Sequence, residues 1–383
     1  MGYEVLCRKR GAGKVFRKTA GWVAPDVLGE VWGIGSNFNG PLARPTSDFS
    51  TDFFVPMPLD KKFAKIAAGF GVSIGITRDG TVYGCGWDGA FGVPGYTSYE
   101  GWVEVPLPEK IIDAQVRAAN TATYGGSTMY LGESGTVYVG GYNKEGHLGL
   151  GADRVNEMIA PPEPIATLPP IVQMSRPSFN GTLFLTAGGT AYGCGQNSLG
   201  TLGLGEGVEH YYQYSPVLLP IDDLRAVFSG PANSFFIKNN GDIHVSGNGS
   251  MGELGLGYTY RTYSPMKIEG LSSVKFAATF RSCSYFLLDD GSVYACGAVD
   301  PRGDIYKVRT PQLVPGISGV KTLGMNWKQV ECLLEEGGVY WLPLDSGGYQ
   351  GTFVLISTIP NIAMMATGGG DDVNREPHSI ILI

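Results

Sequence analysis

The amino-acid sequence predicts an all-β fold: a seven-bladed β-propeller whose ring closes by pairing the C-terminal strand with the N-terminal repeat. Three observations predict it. A strand-turn-strand unit recurs seven times, glycine supplies 58 of 383 residues, and the two chain ends each carry half of one unit.

The recurring unit is a turn followed by an aromatic-bearing strand and a glycine-rich stretch. It stands at Gly29-Glu30-Val31-Trp32-Gly33, Asp79-Gly80-Thr81-Val82-Tyr83, Ser134-Gly135-Thr136-Val137-Tyr138, Gly189-Thr190-Ala191-Tyr192, Asn240-Gly241-Asp242-Ile243-His244, Asp290-Gly291-Ser292-Val293-Tyr294 and Gly337-Gly338-Val339-Tyr340. Between the aromatic positions, with His244 standing in once, the spacings are 51, 55, 54, 52, 50 and 46 residues. Six of the turns follow a short β-prone run such as Ser73-Ile74-Gly75-Ile76 or Ser284-Tyr285-Phe286-Leu287, the signature of a hairpin. Asp-Gly and Asn-Gly suggest tight primed turns. The first unit has no run before it, whereas His378-Ser379-Ile380-Ile381-Leu382-Ile383 is a run with no turn after it. Pairing these two orphans completes the seventh hairpin and leaves no open sheet edge between the first and last units.

A chain of this length ordinarily implies two or three domains, but a continuous repeat overrides that prior. The expected division is a basic arm at 1–28 and a propeller at 29–383. With 43% hydrophobic and 16% charged residues the chain is ordered and able to bury a large core. No run of about 18 apolar residues occurs, so no membrane-spanning helix is expected. The first residues carry no apolar core of a secretory signal, and Leu6 stands where a myristoylation motif needs Ser or Thr. Net charge is −7, yet the arm holds Arg8, Lys9, Arg10, Lys14, Arg17 and Lys18 against Glu4 and Asp26, leaving −11 on the remainder. Such a body repels a phosphate backbone, so no nucleic acid is expected to bind through it.

After the aromatic strand comes Gly141-Tyr142-Asn143-Lys144-Glu145-Gly146-His147-Leu148-Gly149-Leu150-Gly151, repeated from Gly195 through Asn197 to Gly205 and from Gly247 to Gly257. A small-small-Gly segment leads into a strand at Ala67-Ala68-Gly69-Phe70-Gly71-Val72-Ser73-Ile74. Over residues 29 to 383 the chain resembles the regulator-of-chromosome-condensation-like repeat family, which implies the seven-bladed propeller. It departs from that pattern where the family places a histidine before the strand: only His378 keeps it, with Val72, Ser127 and Asn233 elsewhere. Family members act in guanine nucleotide exchange on a small GTPase, within ubiquitin ligases, as an ultraviolet receptor and as an inhibitor of β-lactamase, so the resemblance implies binding without fixing a partner.

Cys85, Cys194 and Cys296 share one repeat position and Cys283 and Cys332 lie in strand runs, so they read as buried small side chains on separate blades. His147, His210, His244 and His378 have no metal-ligand spacing, and no hydrolase, nucleotide-binding or zincin motif occurs. No catalytic residue, metal or cofactor is expected. Function is expected on loops. Three equivalent loops are aromatic-rich: Tyr96, Tyr99 and Trp102 after the second unit, Tyr211 and Tyr212 after the fourth, and Tyr258, Tyr260 and Arg261 after the fifth. These residue types dominate interface hot spots and form the candidate partner-binding arc. Tyr214-Ser215-Pro216 and Tyr263-Ser264-Pro265 match each other and read as loop pins. Arg8, Lys9 and Arg10 form a candidate assembly arm.

The expected function is a non-catalytic macromolecule-binding or structural module that engages a protein partner or larger assembly. Glycine and tyrosine richness, low charge and eroded repeats suggest a virion component such as a phage tail, collar or host-adhesion part. The alternative is a cellular regulatory adaptor, such as a guanine nucleotide exchange factor for a small GTPase, or an enzyme-inhibitor propeller. The expected location is the virion if viral and the cytoplasm otherwise.

Overall fold

Short β-prone runs alternating with glycine turns produce 29 strands among the described residues, arranged in seven antiparallel sheets around a ring. The computed structural model describes residues 29–383 except 38–39, 46, 48–49, 58–59, 70, 96–97, 118–125, 177–180, 207–210, 281, 299–307, 326–328, 346–347, 350–352, 358, 360 and 369–377. Each blade runs from an inner to an outer strand. Blade 2 comprises Phe63–Gly69, Val72–Thr77, Val82–Trp87 and Ser98–Val105, and blade 3 comprises Ile111–Val116, Ser127–Gly132, Val137–Tyr142 and Met158–Pro164. Blade 4 comprises Ile171–Met174, Thr182–Thr186, Ala191–Gln196 and Tyr212–Leu218, and blade 5 comprises Leu224–Ser229, Asn233–Lys238, Ile243–Gly247 and Thr262–Lys267. Blade 6 comprises Val274–Phe280, Cys283–Leu288, Val293–Gly297 and Val308–Leu313. Blade 7 comprises Val320–Met325, Gln329–Leu334, Val339–Asp345 and Val354–Ser357, with Gly348–Tyr349 paired to the end of its third strand.

Blade 1 is assembled from both ends of the chain: Met364–Gly368 and His378–Leu382 pair with Val31–Ser36 and Ser50–Pro56. Trp32 faces Ile381 in the register, so the expected closure holds. A buried carboxylate marks the seam. Glu331, in the second strand of blade 7, is fully buried and accepts hydrogen bonds from Ser379 Oγ at 2.6 Å and Thr367 Oγ1 at 3.0 Å, both in blade 1. Glu331→Ala strips two buried hydroxyls of their acceptor and opens a cavity, and is expected to cost about 2–4 kcal/mol. Urea unfolding measures it; a midpoint unchanged from the parent would contradict this role.

The hairpins differ in detail from the primed turns expected. In blade 2 Gly80 N–H donates to Thr77 O at 3.0 Å and Thr77 N–H to Thr81 O at 2.9 Å, and of the turn residues Gly80 alone takes positive φ (+85°). This is a type I turn closed by a glycine bulge, and Asp79 Oδ1 accepts from Thr81 N–H to stabilise it. Neighbouring blades are also tied by long side chains on the inner strands. Arg225 Nη2 donates to Val274 O at 2.8 Å, Lys275 Nζ to Val320 O at 3.3 Å and Lys321 Nζ to Ile362 O at 3.1 Å, each reaching the first inner-strand region of the next blade.

Candidate functional site

The glycine-rich segment links the third strand to the outer strand, and the structure shows why its residues recur. The Oδ1 atoms of Asn37, Asn143 and Asn197 accept the N–H of Leu42, Leu148 and Leu202 at 3.0, 3.0 and 2.9 Å, folding the loop back on itself. The loop then rests on the next blade: Gly151, Gly205 and Gly257 donate to Tyr214 O, Tyr263 O and Arg309 O at 2.9, 2.8 and 2.8 Å. Gly200 has φ +77°, and a Cβ there would lie 2.7 Å from Thr262 O and 2.9 Å from Tyr263 Cδ1. Only glycine fits under the tyrosine.

Tyr214 and Tyr263 are thus pinned beneath the loops of the preceding blades, as their matched sequences suggest. Pro216, Pro265 and Pro311 sit against Gly149, Gly203 and Gly255 and keep the exposed outer strands from serving as templates for further pairing. Three cysteines complete the join. Cys85, Cys194 and Cys296 point their thiols at the carbonyls of Pro41, His147 and Glu253 at 3.3, 3.3 and 3.5 Å. All three are buried and free, and burial raises each thiol pKa far above its ordinary value.

The aromatic candidates divide by position. Tyr211 and Tyr260 occupy the same point at the start of the outer strands of blades 4 and 5 and are 66% and 72% exposed. Arg261 beside Tyr260 is also exposed, with its Nη1 3.3 Å from the Tyr263 hydroxyl. Tyr212 is half-buried and stacks on Tyr214, with centroids 5.6 Å apart and planes 4° from parallel. Its phenol pKa is raised, first by burial and then by the Glu145 carboxylate of the blade 3 loop. Tyr258 leans on Tyr260 at 5.9 Å. Blade 2 presents its aromatics differently: Tyr99 is level with Gln213 and Thr262, and Trp102 takes the place of the outer-strand proline. The Trp102 ring packs on Phe63 at 4.9 Å in the core between blades 1 and 2. Tyr96 and the Arg8, Lys9 and Arg10 cluster lie outside the described residues.

Sequence reasoning missed a buried polar cluster in blade 3. His147 Nδ1 donates to Lys144 O at 2.5 Å, so Nε2 accepts from Ser127 Oγ at 2.8 Å, while Arg117 Nη1 lies 3.2 and 3.3 Å from the two ring nitrogens. A serine hydroxyl on an oriented imidazole has the connectivity of an acyl-transfer dyad. Both residues are fully buried, and burial together with the Arg117 charge pushes His147 well below its usual pKa, so the pair is sealed from substrate and the imidazole is a poor base. It is a packing device. Only the Gly146-His147-Leu148 spelling of the loop hinted at it. Among the described residues no group of three His, Cys, Asp or Glu gathers as a metal site, and no helix is long and apolar enough to cross a membrane.

Comparison with known proteins bears on this geometry. The model of the regulator of chromosome condensation repeat matches residues 63–92. The ultraviolet-B receptor of Arabidopsis thaliana is 27% identical over 258 residues, covering 65% of this chain and 56% of the receptor. The human E3 ubiquitin-protein ligase HERC2 is 27% identical over 374 residues, covering 91% of this chain but 7% of the ligase. The chain thus spans little more than half of the receptor and a small part of the ligase. Prp20p of Saccharomyces cerevisiae, whose structure is described together with its binding to Gsp1p and histones, superposes with a TM-score of 0.77 at 16% identity, covering 94% of this chain and 92% of Prp20p. That last likeness speaks for the fold alone. The repeat match and these relatives bear out the resemblance to the regulator-of-chromosome-condensation-like repeat proteins, and the closed ring of seven blades is the β-propeller that the resemblance implies.

Proposed function

We propose that the propeller is a non-catalytic binding module that recognises a protein partner through the rim of blades 4 and 5. The observation that carries this reading is the pair Tyr211 and Tyr260, the two most exposed aromatic side chains among the described large hydrophobics, set at one repeat position on adjacent blades with the exposed Arg261 beside Tyr260. Exposed tyrosine and arginine on a rigid scaffold supply contact area at little entropic cost. The relatives are cellular regulators and ligases, which favours a regulatory adaptor over the virion component suggested by composition.

The triple variant Tyr211→Ala, Tyr260→Ala, Arg261→Ala tests the rim. None of the three side chains is committed to the core, so the melting temperature is expected to stay within about 2 °C of the parent. Quantitative affinity capture from the native cell extract is expected to lose the partner at least tenfold, as loss of a hot-spot pair predicts. Identical capture by parent and variant would refute the rim. Nucleotide release from a small GTPase, measured with the intact chain, separates an exchange factor from a passive adaptor.

A further inference from the structure

Next to this rim, where blade 3 meets blade 4, an acid lies beside two stacked rings. Tyr212 and Tyr214 are parallel, and Tyr214 is fixed because Gly146 leaves no room to move: a Cβ there would lie 2.3 Å from Tyr214 Cδ1. The pair is therefore a preorganised surface carrying the negative ring faces that attract cations. Glu145 stands beside it, with 31% of its side chain exposed and its charge felt by the Tyr212 phenol. Its backbone is left-handed, φ 60° and ψ 17°, which disfavours any residue with a β-carbon. Blade 4 places Leu199 at the same point of its loop without a positive φ, so the loop does not demand it. Strain of this kind collects at functional positions. Lys144 Nζ lies 4.0 Å from Glu145 Oε1, the outer limit of an ion pair, so the carboxylate is not closed off by a tight partner there.

We propose that Tyr212, Tyr214 and Glu145 form a notch that takes a cationic side chain, arginine or lysine, from an extended segment of the protein partner. This rests on the binding role of the rim and specifies the chemistry of what the rim binds. The cation lies against the Tyr212 ring, and the Glu145 carboxylate supplies the opposite charge. The net −11 on residues outside the arm favours the approach of such a segment over an acidic one.

The test is a titration of the full chain, labelled with ring-¹³C tyrosine, with N-acetyl-arginine amide, N-acetyl-lysine amide and the neutral N-acetyl-citrulline amide. Saturable shifts of the Tyr212 and Tyr214 ring signals are expected with the first two probes and not with the third. Glu145→Gln is expected to weaken the response about threefold to fivefold, the worth of one exposed charge contact. Glu145→Gly, which relieves the backbone and preserves the loop, is expected to do the same. Absence of shifts, equal shifts with citrulline, or full retention in both variants would overturn the notch. Should the probes fail while capture still depends on Tyr211, Tyr260 and Arg261, the notch falls and the rim stands. Should the shifts behave as expected while capture ignores those three residues, the notch stands and the rim falls.

Discussion

Removal of residues 378–383 is expected to abolish the cooperatively folded ring and not merely trim its end. His378–Leu382 is an interior strand of blade 1, hydrogen-bonded to Met364–Gly368 on one side and to Val31–Ser36 on the other. Ile380, Ile381 and Leu382 are buried at 0%, 0% and 1% exposure. At about 1.5–3 kcal/mol for each aliphatic side chain, their burial alone contributes about 5–9 kcal/mol, comparable with the whole stability of a typical domain. The truncation also takes Ser379 from Glu331 and leaves two strand edges open at the seam. Circular dichroism melting and gel filtration measure the outcome. A truncated chain that still melts cooperatively within about 5 °C of the parent would show that the closure is dispensable.

Acid is expected to destabilise the protein well above the pH at which carboxylates protonate. His147 and His378 are buried and neutral: burial, reinforced by Arg117, holds the first well below its usual pKa, and burial, with Arg176 adding, pushes the second down to about 3. The unfolded chain binds a proton at each imidazole near its ordinary value of about 6.5, whereas the folded chain does not. Stability is therefore complete above that value and falls as pH drops from about 6.5 toward 3. At pH 4.5 the His378 imidazole alone costs on the order of 3 kcal/mol, and His147 adds in the same direction. His244, half-buried and lowered chiefly by burial, adds in the same sense. Urea midpoints between pH 7 and 4.5 measure the slope, which should approach about 2.7 kcal/mol per pH unit for two protons. A flat profile over that range would mean that one or both imidazoles protonate in place.

Much of this fold was legible in the chain. The seven aromatic positions, the orphan runs at Val31 and His378, and the repeat-equivalent cysteines all stand where the periodicity puts them, because each reflects a local requirement that every blade repeats. The binding rim was legible only in part. Tyr211 and Tyr260 reach solvent, but Trp102, equal to them in aromatic character, fills a proline's place in the outer strand, and only the ladder register reveals it. The turn type escaped because Asp-Gly serves both a primed turn and a glycine bulge, and the choice depends on strand twist. Glu331 and Arg117 were missed for a different reason. Charged side chains are read as surface by default, and their burial depends on hydroxyls and an imidazole supplied by distant segments.

Among the described residues the glycine loops of blades 3, 4 and 5 overlap in one direction, each lying on the outer strand of the blade that follows it in the chain, like slates laid around a turret. The circumference is accordingly handed. Lifting the blade 4 loop would uncover Tyr263 of blade 5, while the blade 4 strand beneath the blade 3 loop would stay covered.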